Sequence, residues 1–240
     1  MPRDARRPPI APPLVFVDDL DEPRLAPDDA HHLSRVLRLR EGTVLTVADG
    51  RGGWRAALYR SEAAIDVVGF TIDEPVLDPR ITIAFALTKG DKPELVVQKL
   101  TELGADVIVG FAAARSIVRW DDAKLARQLE RWRSVARQAA MQCRRARLPL
   151  VEPPTDFEVL VARPGATLAS PEGDAPSLAA SMILIGPEGG WAPEESAAAR
   201  RTVAFADHVL RAETAAITAC SVLAALRSGL AGEMSHPASS

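Results

Sequence analysis

Two stretches carry residue types that could do chemistry. One reads SMILIGPEGGW over residues 181–191, and the other VLRAETAAITACSVLAAL over residues 209–226. In the first, residues 182–185 are apolar and partly β-branched, the pattern of a short buried strand. Gly186 breaks the run and Pro187 stiffens the turn. Gly189 and Gly190 permit positive φ and close backbone approach. Pro193 suits a first helical position, and Glu194 and Glu195 suit a first helical turn. The segment therefore reads as strand, glycine turn, helix. Successive exposed N–H groups in such a turn form a concavity for polar or anionic ligand groups; a plain tight βα turn is the alternative. Neither GxxxxGK[ST] nor GxGxxG is present. The second stretch repeats the design. Residues 202–210 read as a strand, Arg211 and Glu213 stand at its carboxyl end, and a small-residue run from Thr214 reads as a helix. Two such loops suggest one ligand at the carboxyl ends of a parallel sheet.

The elements that must position these loops come earlier. Residues 81–88 read as a buried strand and 93–103 as a helix stopped by Gly104, with a further strand at 106–111. Strand, helix, strand points to an α/β domain with parallel pairing. Upstream, strands are expected at 14–17, 43–48, 54–59 and 65–70, with a short helix at 27–37 and a turn at Asp49-Gly50. Several short strands with Gly turns suggest a small β-barrel. DEPVLDPR at 73–80 reads as the linker, so the expected domains are 1–75 and 76–240. Between the second domain's landmarks the pattern is weaker: 157–161 reads as helix, 166–169 as strand, 171–176 as loop, and 229–240 as a frayed end.

With 240 residues, 47% hydrophobic and 25% charged, the composition is that of a globular chain of one or two domains. No run of 18 apolar residues suggests a membrane span, and the basic, Pro-rich N-terminus lacks the apolar core of a secretory signal. Cys143 and Cys220 form neither a disulfide framework nor a metal motif, which fits a reducing cytoplasm. Net charge is −3, yet residues 115–147 hold ten basic residues against three acids. Much of that charge lies on a helix expected over 122–141, with Leu125, Leu129, Trp132, Val135 and Ala139 as its apolar stripe. Such asymmetry is a nucleic-acid footprint, with a solvated Arg-rich helix as the alternative. HHLSRVLRLR adds Arg35 and Arg38 on one side of the upstream helix. That face reads either as a phosphate-contacting surface or as a solvated one.

Taken in order, TKGDKPELVVQKLTELGAD, QCRRARLP, LIGPEGG and LRAETA resemble the SPOUT superfamily of RNA methyltransferases. More narrowly they resemble the ribosomal RNA small subunit methyltransferase E family, bacterial 16S rRNA uridine-N3 methyltransferases. HHLSRVLRLREG followed by ADGRGG is similar to that family's PUA-like RNA-binding domain. The resemblance implies an α/β SPOUT domain with a deep trefoil knot at about 181–228, preceded by a PUA-like β-barrel. It implies S-adenosyl-L-methionine bound by Thr88, Lys89, Leu184, Ile185, Gly186, Pro187, Glu188, Gly189 and Gly190 from one side. Val209, Leu210, Arg211, Glu213, Thr214 and Ala215 complete that site. It also implies a homodimer, and 16S rRNA or the small ribosomal subunit as the partner. Arg35, Arg38, Arg115, Arg137, Arg144, Arg145 and Arg147 are the expected RNA contacts, with no metal. Two places depart from the family pattern: Met141-Gln142-Cys143-Arg144 stands for Glu-Gln-Cys-Gly, and Phe205-Ala206-Asp207-His208 for Leu-Gly-x-Arg.

Arg211, Glu213 and Glu188 are the candidate catalytic residues. Uridine N3 must lose a proton, and the base must be unpaired to be reached. Arg211 could stabilise the developing anion or bind phosphate. Glu213 could cap the last helix, hold Arg211 or favour the sulfonium, and Glu188 is a candidate base. The alternatives are a SPOUT enzyme acting on another RNA such as tRNA, and a non-catalytic RNA-binding assembly factor.

Overall fold

The computed structural model describes residues 6–60, 64–87, 92–116 and 120–232. The chain divides into two compact units. The first comprises Met1–Val76 and Arg137–Leu148, and the second Leu77–Ala136 and Pro149–Ser240. The boundary at 76/77 falls inside the segment read as a linker. Residues 137–148 leave the second stretch of sequence and pack in the first unit.

The first unit is built on a four-stranded sheet in the order β1 (Leu14–Phe16), β2 (Val44–Ala48), β3 (Gly53–Tyr59), β4 (Ile65–Asp73). β1 runs parallel to β2, and the remaining pairs are antiparallel. Among the described strands, β1 and β4 are the edges of this sheet. The expected upstream helix is split into α1 (Pro27–His31) and a π-helical turn, His32–Val36, followed by Arg38 at φ 50°. Alternation along β2 sends Leu45 and Val47 to a core with Val15, Leu33, Ala57 and Tyr59. A second cluster joins Leu14, Phe16, Ala48 and Trp54 to Ala140 and Ala146 of the 137–148 segment.

The second unit holds a six-stranded, all-parallel sheet. Its order is β10 (Thr202–Val203), β8 (Ala166–Asp174), β9 (Met182–Ile185), β5 (Thr82–Ala86), β6 (Val107–Ala112), β7 (Leu150–Asp156). The expected α/β class is therefore observed. Helices cover both faces, as a parallel sheet requires. Ile83 and Phe85 of β5 point to one face. There they meet Val97 and Leu100 of α2 (Lys92–Leu103), Trp132 of α3 (Asp122–Cys143) and Ala216, Ala219 and Leu223 of α6 (Ala212–Arg227). Ala84 and Ala86 point to the other, with Phe111, Leu184 and the Phe157 and Leu160 of α4 (Phe157–Val161). Trp132 fills its place so tightly that a Cβ on Gly110 would lie 2.8 Å from its ring.

Three further elements differ from the sequence reading. β7 is a full strand, although its two prolines, Pro153 and Pro154, hid it. These are tolerated because β7 is an edge strand. β8 continues through residues read as loop, to Asp174, because β10 pairs with it there. β10 itself spans two residues rather than nine, so 204–211 is a connection free to shape a pocket. After β9 at the sheet centre the chain passes through α5 (Pro193–Ala198) to β10 at the edge. It then returns to lay α6 against β5 and α2. This return is the stretch to which the resemblance assigns the knot.

Candidate functional site

The two glycine- and small-residue loops meet. A pocket with about 720 Å³ of empty space, its mouth included, opens at the carboxyl end of β9. The 185–191 turn supplies Ile185, Gly186, Pro187, Glu188 and Gly190 to its lining, and the 205–215 segment supplies Val209, Leu210 and Ala215. Of the other expected cofactor residues, Leu184 is buried in the core behind the pocket, and Gly189 borders it from outside. Arg211, Glu213 and Thr214 begin α6 at its rim. Thr88 and Lys89 lie outside the described residues.

Sequence reasoning missed the pocket's floor. Trp191 donates its indole N–H to the Ala169 carbonyl at 2.9 Å and stacks on Phe111 with centroids 6.1 Å apart. Its ring also meets Phe157 at 5.6 Å. Gly186 lies against this ring, and a Cβ there would stand 2.9 Å from it. Glycine at 186 is thus demanded by the neighbour rather than by φ. Gly190, at φ 70°, is demanded by the backbone.

Glu195 was read only as a helix-starting acid. It is buried, and it accepts the Ala114 N–H at 2.9 Å and the Ala192 N–H at 2.8 Å. It therefore ties the loop after β6 to the first turn of α5. Arg115, from that same loop, donates to the Gly189 carbonyl at 3.0 Å. A buried acid at the third helical position, with no Ser, Thr, Asp or Asn at the N-cap, is the signal that could have found this tie.

The charged rim is a triad. Lys92, the first residue of α2, holds its ammonium 2.9 Å from a Glu188 oxygen and 3.3 Å from a Glu213 oxygen. The first contact is a hydrogen bond; the second is an ion pair without hydrogen-bond alignment. The Lys92 hydrogen bond and its own loop N–H hold the Glu188 carboxyl below the usual range, with Lys92 and Arg211 charges assisting. The two carboxylates in turn raise Lys92. A carboxylate held low is a poor proton acceptor at neutral pH, which weakens Glu188 as a base and favours it as a fixed anion. Arg211 is the exposed N-cap residue of α6, with no side-chain cap bond of its own.

The arginines expected to touch RNA fall into two groups. Arg35 and Arg38 are exposed on the turn after α1. Arg137 is instead engaged within the first unit, with Asp29 oxygens at 3.0 and 2.5 Å. Arg147 donates to the Glu74 carbonyl at 3.0 Å, and Arg144 to the carbonyls of Ile10 and Met141. Arg145 is partly buried. A guanidinium fork satisfies buried carbonyls and carboxylates as well as phosphates, so residue type alone does not separate these uses. Among the described residues no cluster of His, Cys, Asp and Glu could hold a metal.

These features have counterparts in known proteins. Residues 76–224 match the RNA methyltransferase domain family, and residues 25–61 the RNA methyltransferase PUA domain. A ribosomal RNA small subunit methyltransferase E from Mycobacterium bovis is 34% identical across 90% of this chain and 92% of its own. The chain belongs to the ribosomal RNA small subunit methyltransferase E family. Its relative from Bacillus subtilis is 30% identical over 82% of this chain and 87% of that protein. A Legionella pneumophila methyltransferase solved with bound S-adenosylmethionine superposes with a TM-score of 0.79 at 27% identity, covering 90% of this chain and 98% of that one. The Neisseria gonorrhoeae family member, also solved with S-adenosylmethionine, gives a TM-score of 0.75 at 27% identity and the same coverage. The Met141–Arg144 and Phe205–His208 departures sit within this relationship: Arg144 serves local carbonyls, and Ala206 and His208 line the pocket.

Proposed function

We propose that this chain transfers a methyl group from S-adenosyl-L-methionine to N3 of a uridine in small-subunit ribosomal RNA. The observation that carries the reading is the pocket between the 185–191 turn and the 205–215 segment, in a chain of this family. The residues fit the cofactor. Ile185, Val203, Phe205 and Leu210 offer apolar walls for an adenosine, and Trp191 a fixed floor. The Glu188 carboxylate offers a counter-charge to a cation. When bound, the cofactor supplies an activated methyl group; the protein supplies orientation and charge.

The chain's own residues then divide the work. Glu195 and Arg115 hold the loops that shape the pocket. Glu188, kept ionised, favours positive charge at the rim. Arg211, exposed at the N-terminus of α6, favours the uridine with N3 deprotonated. Glu213 acts as partner of Lys92, and its acidic side chain suits the first turn of α6. The exposed Arg35 and Arg38 of the first unit contribute phosphate contacts, as does the basic face of α3. The working form is a homodimer in the cytoplasm; no described helix is long and apolar enough to cross a membrane.

Methyl transfer from labelled S-adenosylmethionine to purified small subunits, to deproteinised small-subunit RNA and to tRNA tests the reading. Nucleoside mass spectrometry should find N3-methyluridine in a small-subunit sample. Methylated tRNA alone would reassign the substrate, and no transfer with no cofactor binding would leave an RNA-binding protein. Arg211→Ala should abolish turnover while sparing cofactor affinity; equal loss of both would make Arg211 a cofactor-site residue.

A further inference from the structure

The triad at the pocket rim joins three elements that are distant in sequence. Lys92 opens α2, Glu188 lies in the turn after β9, and Glu213 lies in the first turn of α6. Glu188 lines the pocket, whereas Lys92 and Glu213 are outside its lining. The Glu213 oxygen facing Lys92 is buried and has no hydrogen-bond partner, so the ammonium is its compensation. Two acids so placed repel each other, and the Lys92 ammonium lies between them.

We propose that Lys92 is a positioning residue that holds Glu188 as an oriented anion on the pocket wall, so that the site prefers the cationic methyl donor over its neutral thioether product. This rests on the S-adenosylmethionine reading above. The two molecules differ by one methyl group and one positive charge. A wall of apolar residues and backbone groups distinguishes them weakly. The amino-acid tail is common to both, so a fixed carboxylate separates them through the sulfonium charge that only the donor carries. A half-exposed charge of this kind gives on the order of a two- to fivefold preference. The preference speeds exchange of product for donor after each turnover. Lys92 makes it independent of pH across the neutral and mildly acidic range, in keeping with a Glu188 carboxyl held below its usual range.

Among the described residues, few groups surround Glu188. Lys92 approaches from α2, Glu213 and Arg211 from the start of α6, and Arg115 from the loop after β6 through the Gly189 carbonyl. His208 lines the same pocket from the 204–211 connection. Glu195 lies at the start of α5, with both its oxygens on backbone N–H groups.

The test is calorimetric binding of S-adenosylmethionine and S-adenosylhomocysteine from pH 8 to pH 5.5, in a His208→Asn background that removes the imidazole from the pocket wall. The parent should show a donor preference that stays flat with pH. In Lys92→Met the preference should fall about two- to fivefold on acidification, as Glu188 loses the cation that keeps it ionised. Lys92→Arg should restore the flat profile. Glu188→Gln should lower the preference at every pH and abolish the pH dependence of Lys92→Met in the double variant. Binding of S-adenosylhomocysteine to each variant reports that the pocket is formed. A flat, parent-like preference in Lys92→Met, or an unchanged preference in Glu188→Gln, overturns the proposal. Failure of the parent to bind either molecule would instead overturn the cofactor reading.

Discussion

Replacing Gly186 by alanine tests the pocket floor with one methyl group. The new Cβ would lie 2.9 Å from Trp191 Cε2 and 3.2 Å from two further ring carbons. Carbon atoms pack best at about 3.5–4.0 Å, so the ring or the turn must move by roughly half an ångström. The ring cannot yield freely, because its N–H is bonded to the Ala169 carbonyl at 2.9 Å and its face lies on Phe111. Moving the turn instead displaces Pro187 and Glu188 in the pocket wall. Overpacking of this kind costs about 1–3 kcal/mol. A value of about 2 kcal/mol lowers the melting temperature by roughly 4–8 °C for a chain of this size. If the same strain falls on the bound state, affinity for S-adenosylmethionine drops about thirtyfold. The same turn contains its own controls. At Gly189 a Cβ would meet Arg115 at 3.4 Å, an ordinary contact, and φ is not positive there, so Gly189→Ala should stay within about 0.5 kcal/mol of the parent. At Gly190 a Cβ meets nothing, but φ is 70°, so Gly190→Ala should lose about 1–2 kcal/mol from backbone strain alone. Differential scanning fluorimetry and calorimetry on the three variants give the order. If Gly186→Ala matches Gly189→Ala in both melting temperature and affinity, the Trp191 contact does not constrain the turn, and the reasoning fails.

Glu195→Gln should weaken cofactor binding several-fold and destabilise by about 1–3 kcal/mol, since one of two backbone donors would then face an amide NH₂; a parent-like melting curve would argue against the tie. Arg227 is almost wholly buried, pairs with Asp106 and donates to the Gly104 carbonyl at 2.8 Å. Arg227→Met should therefore cost about 3–5 kcal/mol in chemical denaturation, because Asp106 loses its counter-charge. In the first unit, Arg137→Ala should lower stability by about 3 kcal/mol by stranding Asp29, whereas Arg35→Glu with Arg38→Glu should leave stability unchanged, weaken RNA binding and flatten its salt dependence. Glu188 carries the pH dependence of the rim. Its folded value is depressed, so its contribution is present above the ordinary carboxylate range and is lost as pH falls through the folded value. The parent should then lose more stability than Glu188→Gln below about pH 4, by less than about 1 kcal/mol because the side chain is half-exposed; identical acid limbs would contradict this.

The sequence by itself determined the chemistry-bearing loops and most elements. LIGPEGGW announced a strand, a turn and a helix because apolar, glycine and helix-starting residues follow one another locally. β9 and α5 are observed there, as are β5, α2 and β6 where apolar runs and Gly104 placed them. The family resemblance rested on the same local runs. What tertiary structure decided were the properties that depend on neighbours. β7 and the far half of β8 exist because parallel partners satisfy their backbone, which no propensity in their proline- and acid-rich sequence records. Arg137, Arg144 and Arg147 looked like phosphate contacts, yet fold-internal oxygens take them, because an arginine fork serves either acceptor. Lys92 lies just ahead of the helix expected over 93–103, where nothing local signals a role. Its role at the rim exists only because the parallel sheet brings the starts of α2 and α6 to the same edge as the turn after β9, where two acids need one cation.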